Sequence, residues 1–151
     1  MASARAEADG YPRVPQPWAD AQPADGRLRL LSPASNIALN ASFGNVDKLI
    51  RRAGPATIML HPADASARGL ADGDVAMISN QTGEVALHVV TSDEMLPGVA
   101  LSPKGRWPRL EEAGANINVL YDGRKSDMGE STSVHGVEVA IQAIDTAMNA
   151  T

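Results

Sequence analysis

The chain has 151 residues, 44% of them hydrophobic, and a formal net charge of −5 from 18 acidic and 13 basic residues. This length suits one domain with a buried core, and the charge gives no reason to expect a surface for nucleic acid or anionic lipid. The absence of cysteine excludes disulfides, cysteine-ligated iron–sulfur clusters and thiolate chemistry. Only 3% of residues are aromatic, so we expect a core of Val, Leu, Ile, Ala and Met.

The first 26 residues differ in composition from the rest. They contain Pro12, Pro15, Pro17 and Pro23 among Ala, Asp and Gly. This composition predicts an extended arm or linker over residues 1–26. The opening sequence MASARAEADGYP also lacks the apolar run of a signal peptide, and no stretch approaches transmembrane length, so we expect a soluble, cytoplasmic protein without membrane contact.

Four elements are predicted between the arm and the first histidine. RLRLLS (27–32) alternates as a half-buried strand does, and SPASNIALNASFGN (32–45) is a loop rich in Ser and Asn. VDKLIRRA (46–53) predicts a short helix with Asn45 as its N-cap. ATIMLH (56–61) then predicts a buried strand.

The second half repeats the pattern of short strands. Residues 62–68 predict a short helix, because Pro is favoured at the first helical position. DVAMISN (74–80) and EVALHVVTS (84–92) flank a tight turn and predict a hairpin. LPGVALSP (96–103) and GVEVAIQAI (136–144) each predict a further strand. Short strands with small connecting helices indicate an α+β or mainly β barrel.

The stretch HPADASARGLADGD (61–74) is dense in side chains that catalyse reactions or bind metals. His61 and Asp64 are spaced so that both can face one metal ion. An acidic residue in the first turn is equally what a helix N-terminus favours with no ligand, and this interpretation is preferred. The Asp72-Gly73-Asp74 sequence is typical of a turn. We therefore predict no metal ligands here.

Neutral polar side chains are concentrated in two loops. The sequence contains neither a G-x-S-x-G nucleophile motif nor a glycine-rich phosphate loop, so we predict no catalytic residues. Two such loops beside apolar strands favour a groove that binds an elongated polar ligand through many hydrogen bonds. An aspartate such as Asp64 can also pair with two donors of guanine. The side chains of the two loops are those of Ser32, Ser35, Asn36, Asn40, Ser42 and Asn45, and of Asn116 and Asn118.

Several stretches together resemble the C-terminal molybdopterin-dinucleotide-binding domain of the dimethyl-sulfoxide reductase family, which includes formate dehydrogenases and nitrate reductases. HP-x-DA-x-x-x-G-(x)-x-DGD is the most specific of them. The stretches occur in the family's order over roughly residues 27–142. They are LRLLSPASNIALNASFGN (28–45), HPADASARGLADGD (61–74), VAMISNQTGEVALHVVTSD (75–93), PGVALSP (97–103), GANINVLYDGRKSDMG (114–129) and VEVAI (137–141).

The resemblance implies a mainly β fold with short helices, the double-psi β-barrel, over residues 27–145, followed by a tail at 146–151. It implies that this domain covers a molybdopterin guanine dinucleotide cofactor, while the metal ligand belongs to other domains. This chain would then carry no complete active site. The cofactor-binding residues that the resemblance implies are Ser35, Asn36, Asn40, Ser42, His61, Asp64, Asn116 and Asn118.

Three positions depart from the family pattern, namely Asn36, Tyr121 and Glu130, and Glu130 would bring negative charge towards phosphates. Two interpretations therefore compete. In the first, the chain is a small subunit or isolated domain that completes a molybdenum or tungsten oxidoreductase with a large catalytic subunit. In the second, the barrel stands alone, and its groove binds or transforms another small organic ligand with Asp64, His61, His135 or Tyr121 as the acid or base. A third is a non-catalytic interaction module.

Overall fold

A computed structural model describes residues 2–14, 22–125, 130–132 and 135–144. Its strands are β1 (Leu28–Leu31), β2 (Thr57–Leu60), β3 (Val75–Ser79), β4 (Glu84–Thr91), β5 (Val99–Leu101) and β6 (Val137–Ala143). Its helices are α1 (Ala4–Ala8), α2 (Asp47–Ala53) and α3 (Pro62–Ser66), with 3₁₀ turns at Pro108–Leu110 and Ile117–Leu120. The six strands close into a barrel in the order β1-β5-β2-β4-β3-β6. The predicted fold class, a mainly β double-psi barrel with short helices, is confirmed.

The barrel interior is filled by alternate residues of each strand, as the pleat requires. Leu28 and Leu30 of β1 and Ile58 and Leu60 of β2 are almost fully buried. The buried core of the described residues contains Leu, Ile, Val and Ala as predicted, but no Met. Successive side chains of a strand point to opposite faces. Met59 lies between the buried Ile58 and Leu60, so it faces outwards and is absent from the core.

Strand direction decides which loops meet. β1 pairs with β5 in parallel, so the segments after Leu31 and after Leu101 leave the barrel at the same end. We call this the β1–β5 end. β2 is antiparallel to β5 and parallel to β4, so the segment that follows Leu60 leaves at the opposite end. The two polar regions that the resemblance placed on one groove, 35–42 and 61–64, are therefore at opposite ends of the barrel.

The hairpin of β3 and β4 has its tip at the β1–β5 end. Asn80 N–H donates to the Gly83 carbonyl at 3.0 Å, which closes the predicted turn. The Asn80 amide donates to the Leu120 carbonyl at 2.7 Å. A Cβ at Gly83 would lie only 2.7 Å from the Val119 carbonyl oxygen. The close contact fixes the 3₁₀ turn Ile117–Leu120 against the hairpin.

Helix α2 begins at Asp47, one residue later than predicted, and its N-cap also lies one residue later. Val46 is the N-cap and makes no side-chain capping hydrogen bond, so the prediction of Asn45 as N-cap is wrong. The Val46 N–H bonds to the Phe43 carbonyl at 3.0 Å, so Asn45 belongs to the preceding turn. The first polar loop thus continues in turns up to the helix. Its Asn36, Asn40, Ser42 and Asn45 are exposed, whereas Ser32 is buried and Ser35 half-buried.

Helix α3 covers Pro62–Ser66, with His61 as N-cap and Pro62 in the first turn, so it is shorter than predicted. The predicted arm contains a five-residue helix, α1, that a fully extended arm would lack. Residues 15–21 of the arm, residue 145 and the tail at 146–151 lie outside the described residues. No helix in the described ranges is long and apolar enough to cross a membrane.

Candidate functional site

A large cleft opens at the β1–β5 end of the barrel. Its volume is about 960 Å³, enough for a nucleotide-sized ligand. Three segments form most of it, namely the first polar loop, the segment after β5 and the segment around the 3₁₀ turn Ile117–Leu120, and Thr132 completes the lining. The lining residues are Asn40, Ala41, Lys104, Gly105, Arg106, Trp107, Pro108, Asn116, Asn118, Val119, Tyr121 and Thr132.

The first polar loop is fastened to the segment after β5 by Trp107. The indole Nε1–H donates to the Ala41 carbonyl at 2.6 Å, and the Arg109 guanidinium lies 4.9 Å from the centre of the Trp107 ring. A Cβ at Gly105 would lie 2.6 Å from the Asn40 carbonyl oxygen, so the two backbones are in direct contact. This contact holds the wall that carries Asn40.

Asn116 holds in place the wall of the cleft that surrounds the 3₁₀ turn Ile117–Leu120. It is buried, its amide donates to the Arg106 carbonyl at 2.6 Å, and its Oδ1 accepts from the Asn118 N–H at 3.0 Å. The Asn116 side chain therefore acts chiefly through the backbone it holds. Asn118, which is exposed, is the amide of this pair that is presented to the cleft.

Two cationic side chains line the cleft although the chain is acidic overall. Lys104 and Arg106 line it, and no Asp or Glu is among the lining residues that the structure describes. The Tyr121 hydroxyl is buried in the same region without a hydrogen-bond partner among the described residues. Cations, neutral amides and a hydroxyl with free bonding capacity suit an elongated ligand that carries phosphates.

Glu130 does not bring negative charge into this cleft, contrary to the concern raised by the sequence. Its carboxylate lies 2.8 Å from Lys125 Nζ, and its side chain is 75% exposed. The pair is close to neutral and screened by water. Thr132, which lines the cleft, is bridged to Lys125 through the backbone.

The structure divides the eight site residues proposed from the sequence. Asn40, Asn116 and Asn118 line the cleft. Ser35 lines an adjoining small apolar pocket of about 60 Å³, and its Oγ accepts from the Ile37 N–H at 3.1 Å. The exposed side chains that line neither cavity are Asn36 and Ser42.

His61 and Asp64 lie at the opposite end of the barrel from the cleft, and each has a structural role. His61 Nδ1 accepts from the Ala63 N–H at 3.1 Å, which caps helix α3. Asp64 Oδ2 accepts from the Gly98 N–H at 2.7 Å, and Oδ1 lies 3.5 Å from the Arg68 guanidinium. These two residues join helix α3 to the turn that precedes β5, away from the cleft, and their place on a cofactor groove stays a prediction.

The Asp72-Gly73-Asp74 turn is confirmed as such. Asp72 Oδ1 accepts from the Thr91 N–H, and Asp74 Oδ2 accepts from the Ala71 N–H, both at 2.7 Å. Gly73 has φ +88°, a conformation that favours glycine. Within the described ranges, no three His, Asp or Glu side chains converge as metal ligands would.

Sequence reasoning missed the segment Lys104–Trp107. The signal was present, since KGRW directly follows a predicted strand and contains two cations and one of only two tryptophans. It was overlooked because the total charge is negative, and a net charge does not reveal how charges are distributed over a fold.

The barrel and its cationic, amide-lined cleft define a class of protein, a double-psi β-barrel domain with a polar ligand cleft. Comparison with known proteins assigns the family. Residues 28–138 match the model of the molydopterin dinucleotide binding domain, which is well over half of the chain, and the chain belongs to this family. The resemblance that the sequence showed is thus confirmed.

The similar proteins are much larger than this chain. It is 29% identical over 111 residues to the probable dimethyl sulfoxide reductase chain YnfF of Escherichia coli (strain K12), covering 70% of this chain and 14% of that one. It is 33% identical over 126 residues to biotin sulfoxide reductase of Cereibacter sphaeroides, covering 78% and 17%. The chain therefore spans less than a fifth of these relatives.

A solved structure shares the fold. Acetylene hydratase from Pelobacter acetylenicus superposes with a TM-score of 0.80 at 14% sequence identity, over 94% of this chain and 23% of that one. At this identity the likeness concerns the fold alone. It shows that the barrel forms part of a larger enzyme in that structure.

Proposed function

We propose that the cleft at the β1–β5 end binds the dinucleotide part of a molybdopterin guanine dinucleotide cofactor. One observation carries the proposal: the described lining of the cleft combines neutral amides with Lys104, which pairs with no described carboxylate, and with Arg106, in a chain that has five more acidic than basic residues. Family membership gives the ligand class, and the cleft supplies matching chemistry.

Amide side chains are the groups that we propose recognise the guanine base of the cofactor. A guanine ring offers donors at N1–H and its exocyclic amine and an acceptor at O6, and a carboxamide can both accept and donate. Asn40 and Asn118 line the cleft from two different segments of the chain. They replace Asp64, whose carboxylate is engaged at the other end of the barrel.

We infer that the chain acts as a subunit or domain of a molybdenum or tungsten oxidoreductase whose catalytic part is a separate, larger chain. The cofactor supplies the redox chemistry, and the residues of this chain bind and orient its nucleotide end. Each relative is more than five times as long as the segment that matches this chain. The proposed catalytic part corresponds to the rest of their length.

An apolar surface next to the cleft supports a large partner. Leu39 is 69% exposed, Phe43 59% and Leu110 47%. Phe43 and Leu110 line the small apolar pocket, which shares the segment Lys104–Trp107 with the cleft, and Leu39 directly follows Ala38, another residue of its lining. A concentration of exposed apolar side chains marks a protein-binding surface, and a chain that covers the cofactor would also cover this surface.

The proposal is tested by affinity purification of the tagged chain from its native host under anaerobic conditions. We expect co-purification of a larger chain with the other domains of the family, with guanine nucleotide released by acid and stoichiometric Mo or W. Leu39→Asp with Phe43→Asp should abolish the association, whereas Val75→Asp, a matched change at an exposed apolar site on β3, should not.

A different result would favour a stand-alone barrel. Recovery of a metal-free monomer that turns over a small organic substrate would contradict the proposal. The acid–base residues of that alternative are dispersed: His61 and Asp64 lie at the opposite end, and the exposed His135 lies outside the cleft lining. Tyr121 alone of the four lines the cleft.

A further inference from the structure

The two cations of the cleft differ in what already binds them. Arg106 Nε lies 2.8 Å from the Glu111 carboxylate, and both side chains are at most 24% exposed. A terminal nitrogen of Arg106 donates to the Gly54 carbonyl at 2.7 Å. The Arg106 charge is therefore balanced by a neighbouring anion, and its guanidinium is held in place by the protein itself.

The backbone of Lys104 is fixed, and no ion pair joins its ammonium group to another residue of the described ranges. Its N–H donates to the Pro33 carbonyl at 3.0 Å, and a parallel bridge joins it to Ala34, in the β1–β5 register and three residues beyond the last pair of those strands. The half-buried side chain lines the cleft, and no carboxylate of a described residue pairs with it. A cation held beside a cleft without a counter-ion attracts an anion.

Lys104 begins the segment Lys104–Trp107, which contacts both groups of amides: Gly105 meets the Asn40 backbone, and the Arg106 carbonyl accepts from the Asn116 amide. We call this segment the floor of the cleft. A ligand whose base lies between those amides would carry its phosphates along this segment. A lysine ammonium is a compact point charge that binds phosphate without needing a fixed bidentate geometry.

We propose that Lys104 is the phosphate-contacting residue of the cleft and that it gives the domain its preference for a nucleoside diphosphate over the uncharged nucleoside. This inference rests on the proposed function. It adds a residue that determines which part of the dinucleotide is bound most tightly. Arg106 has a positioning role, since it ties the floor of the cleft to Gly54 and Glu111.

The test measures binding of GDP and of guanosine to the purified chain by isothermal titration calorimetry. The wild-type chain should bind GDP at least tenfold more tightly than guanosine, because a charge-assisted hydrogen bond to a phosphate contributes a factor of about ten or more. Lys104→Met should remove most of this preference and leave guanosine binding unchanged. Lys104→Arg should restore most of it.

Two controls isolate the charge of Lys104. Lys48→Met neutralises an exposed lysine on α2 outside the cleft lining and should leave the GDP preference intact. Raising the salt concentration should weaken GDP binding to the wild-type chain more than to Lys104→Met, because screening acts on the charge that the variant lacks. A purely structural role of Lys104 would not produce this difference in salt dependence.

The outcomes separate the two proposals. If the wild-type chain binds neither GDP nor guanosine, the proposed function fails and this inference with it. If it binds GDP and Lys104→Met binds GDP with equal affinity and equal salt dependence, the role of Lys104 is refuted and the cofactor cleft stands. If Lys104→Met loses guanosine and GDP equally, the residue acts on the shape of the cleft, which also refutes the phosphate contact.

Discussion

Replacing Asp64 with alanine should destabilise the barrel and leave nucleotide binding unchanged. The Asp64 carboxylate accepts a 2.7 Å hydrogen bond from the Gly98 N–H and lies 3.5 Å from Arg68. Alanine removes both interactions and leaves the Gly98 N–H without its partner. Helix α3 then loses its connection to the turn that precedes β5.

The expected magnitude follows from these contacts. A hydrogen bond to a charged acceptor contributes about 1.5–3 kcal/mol, and a helical i,i+4 ion pair about 0.3–0.5 kcal/mol. The Asp64 and Arg68 side chains are each 16% exposed, so water screens the pair only in part. We expect Asp64→Ala to lose about 2–3 kcal/mol, which corresponds to a fall in Tm of about 4–12 °C for a domain of this size.

Thermal and urea denaturation measure the change, and calorimetric titration with GDP measures binding. Asp64→Asn is the matched control, because its amide oxygen still accepts from Gly98 N–H and only the charge is lost; it should lose about 1 kcal/mol. Unchanged stability in Asp64→Ala together with loss of GDP binding would contradict the structural role of Asp64. It would show instead that Asp64 contacts the ligand.

Three further predictions concern the cleft itself. Gly105→Ala should lose more than about 1 kcal/mol in urea unfolding, because Gly105 has φ +98° and a Cβ there would meet the Asn40 carbonyl; full stability would contradict the backbone contact. Asn116→Ala should lose about 1–3 kcal/mol and weaken GDP binding, measured by melting and calorimetry, because a buried amide with two hydrogen bonds is removed; intact binding would show that it does not shape the wall. Glu130→Gln should leave GDP affinity within about twofold, because Glu130 is exposed and paired with Lys125; a large gain would show that its charge reaches the ligand.

The strands were predictable because their signal is local. Alternation of apolar residues, as in Leu28 and Leu30, and the tight turn at Asn80–Gly83 depend on neighbours in sequence. The prediction that Asn45 caps α2 was wrong, because Asn45 belongs to a turn from Phe43 to Val46 that precedes the helix. Such turns have weak sequence signals.

The site was only partly predictable because it depends on strand direction. The fold brings Asn40 and Asn118 to one cleft, whereas His61 lies at the other end since β2 runs antiparallel to β5. A single sequence does not state which strands pair or in which direction. The charge of Lys104 was missed for a related reason, since only the fold separates it from the acidic residues elsewhere.

Backbone amide NMR with increasing GDP locates the ligand on the fold and so decides whether the cleft binds the nucleotide. We expect saturable shifts concentrated at the β1–β5 end, in Asn40, Gly105, Asn118 and Tyr121. Shifts concentrated around Gly98 at the opposite end, or no saturable shifts at all, would contradict this expectation.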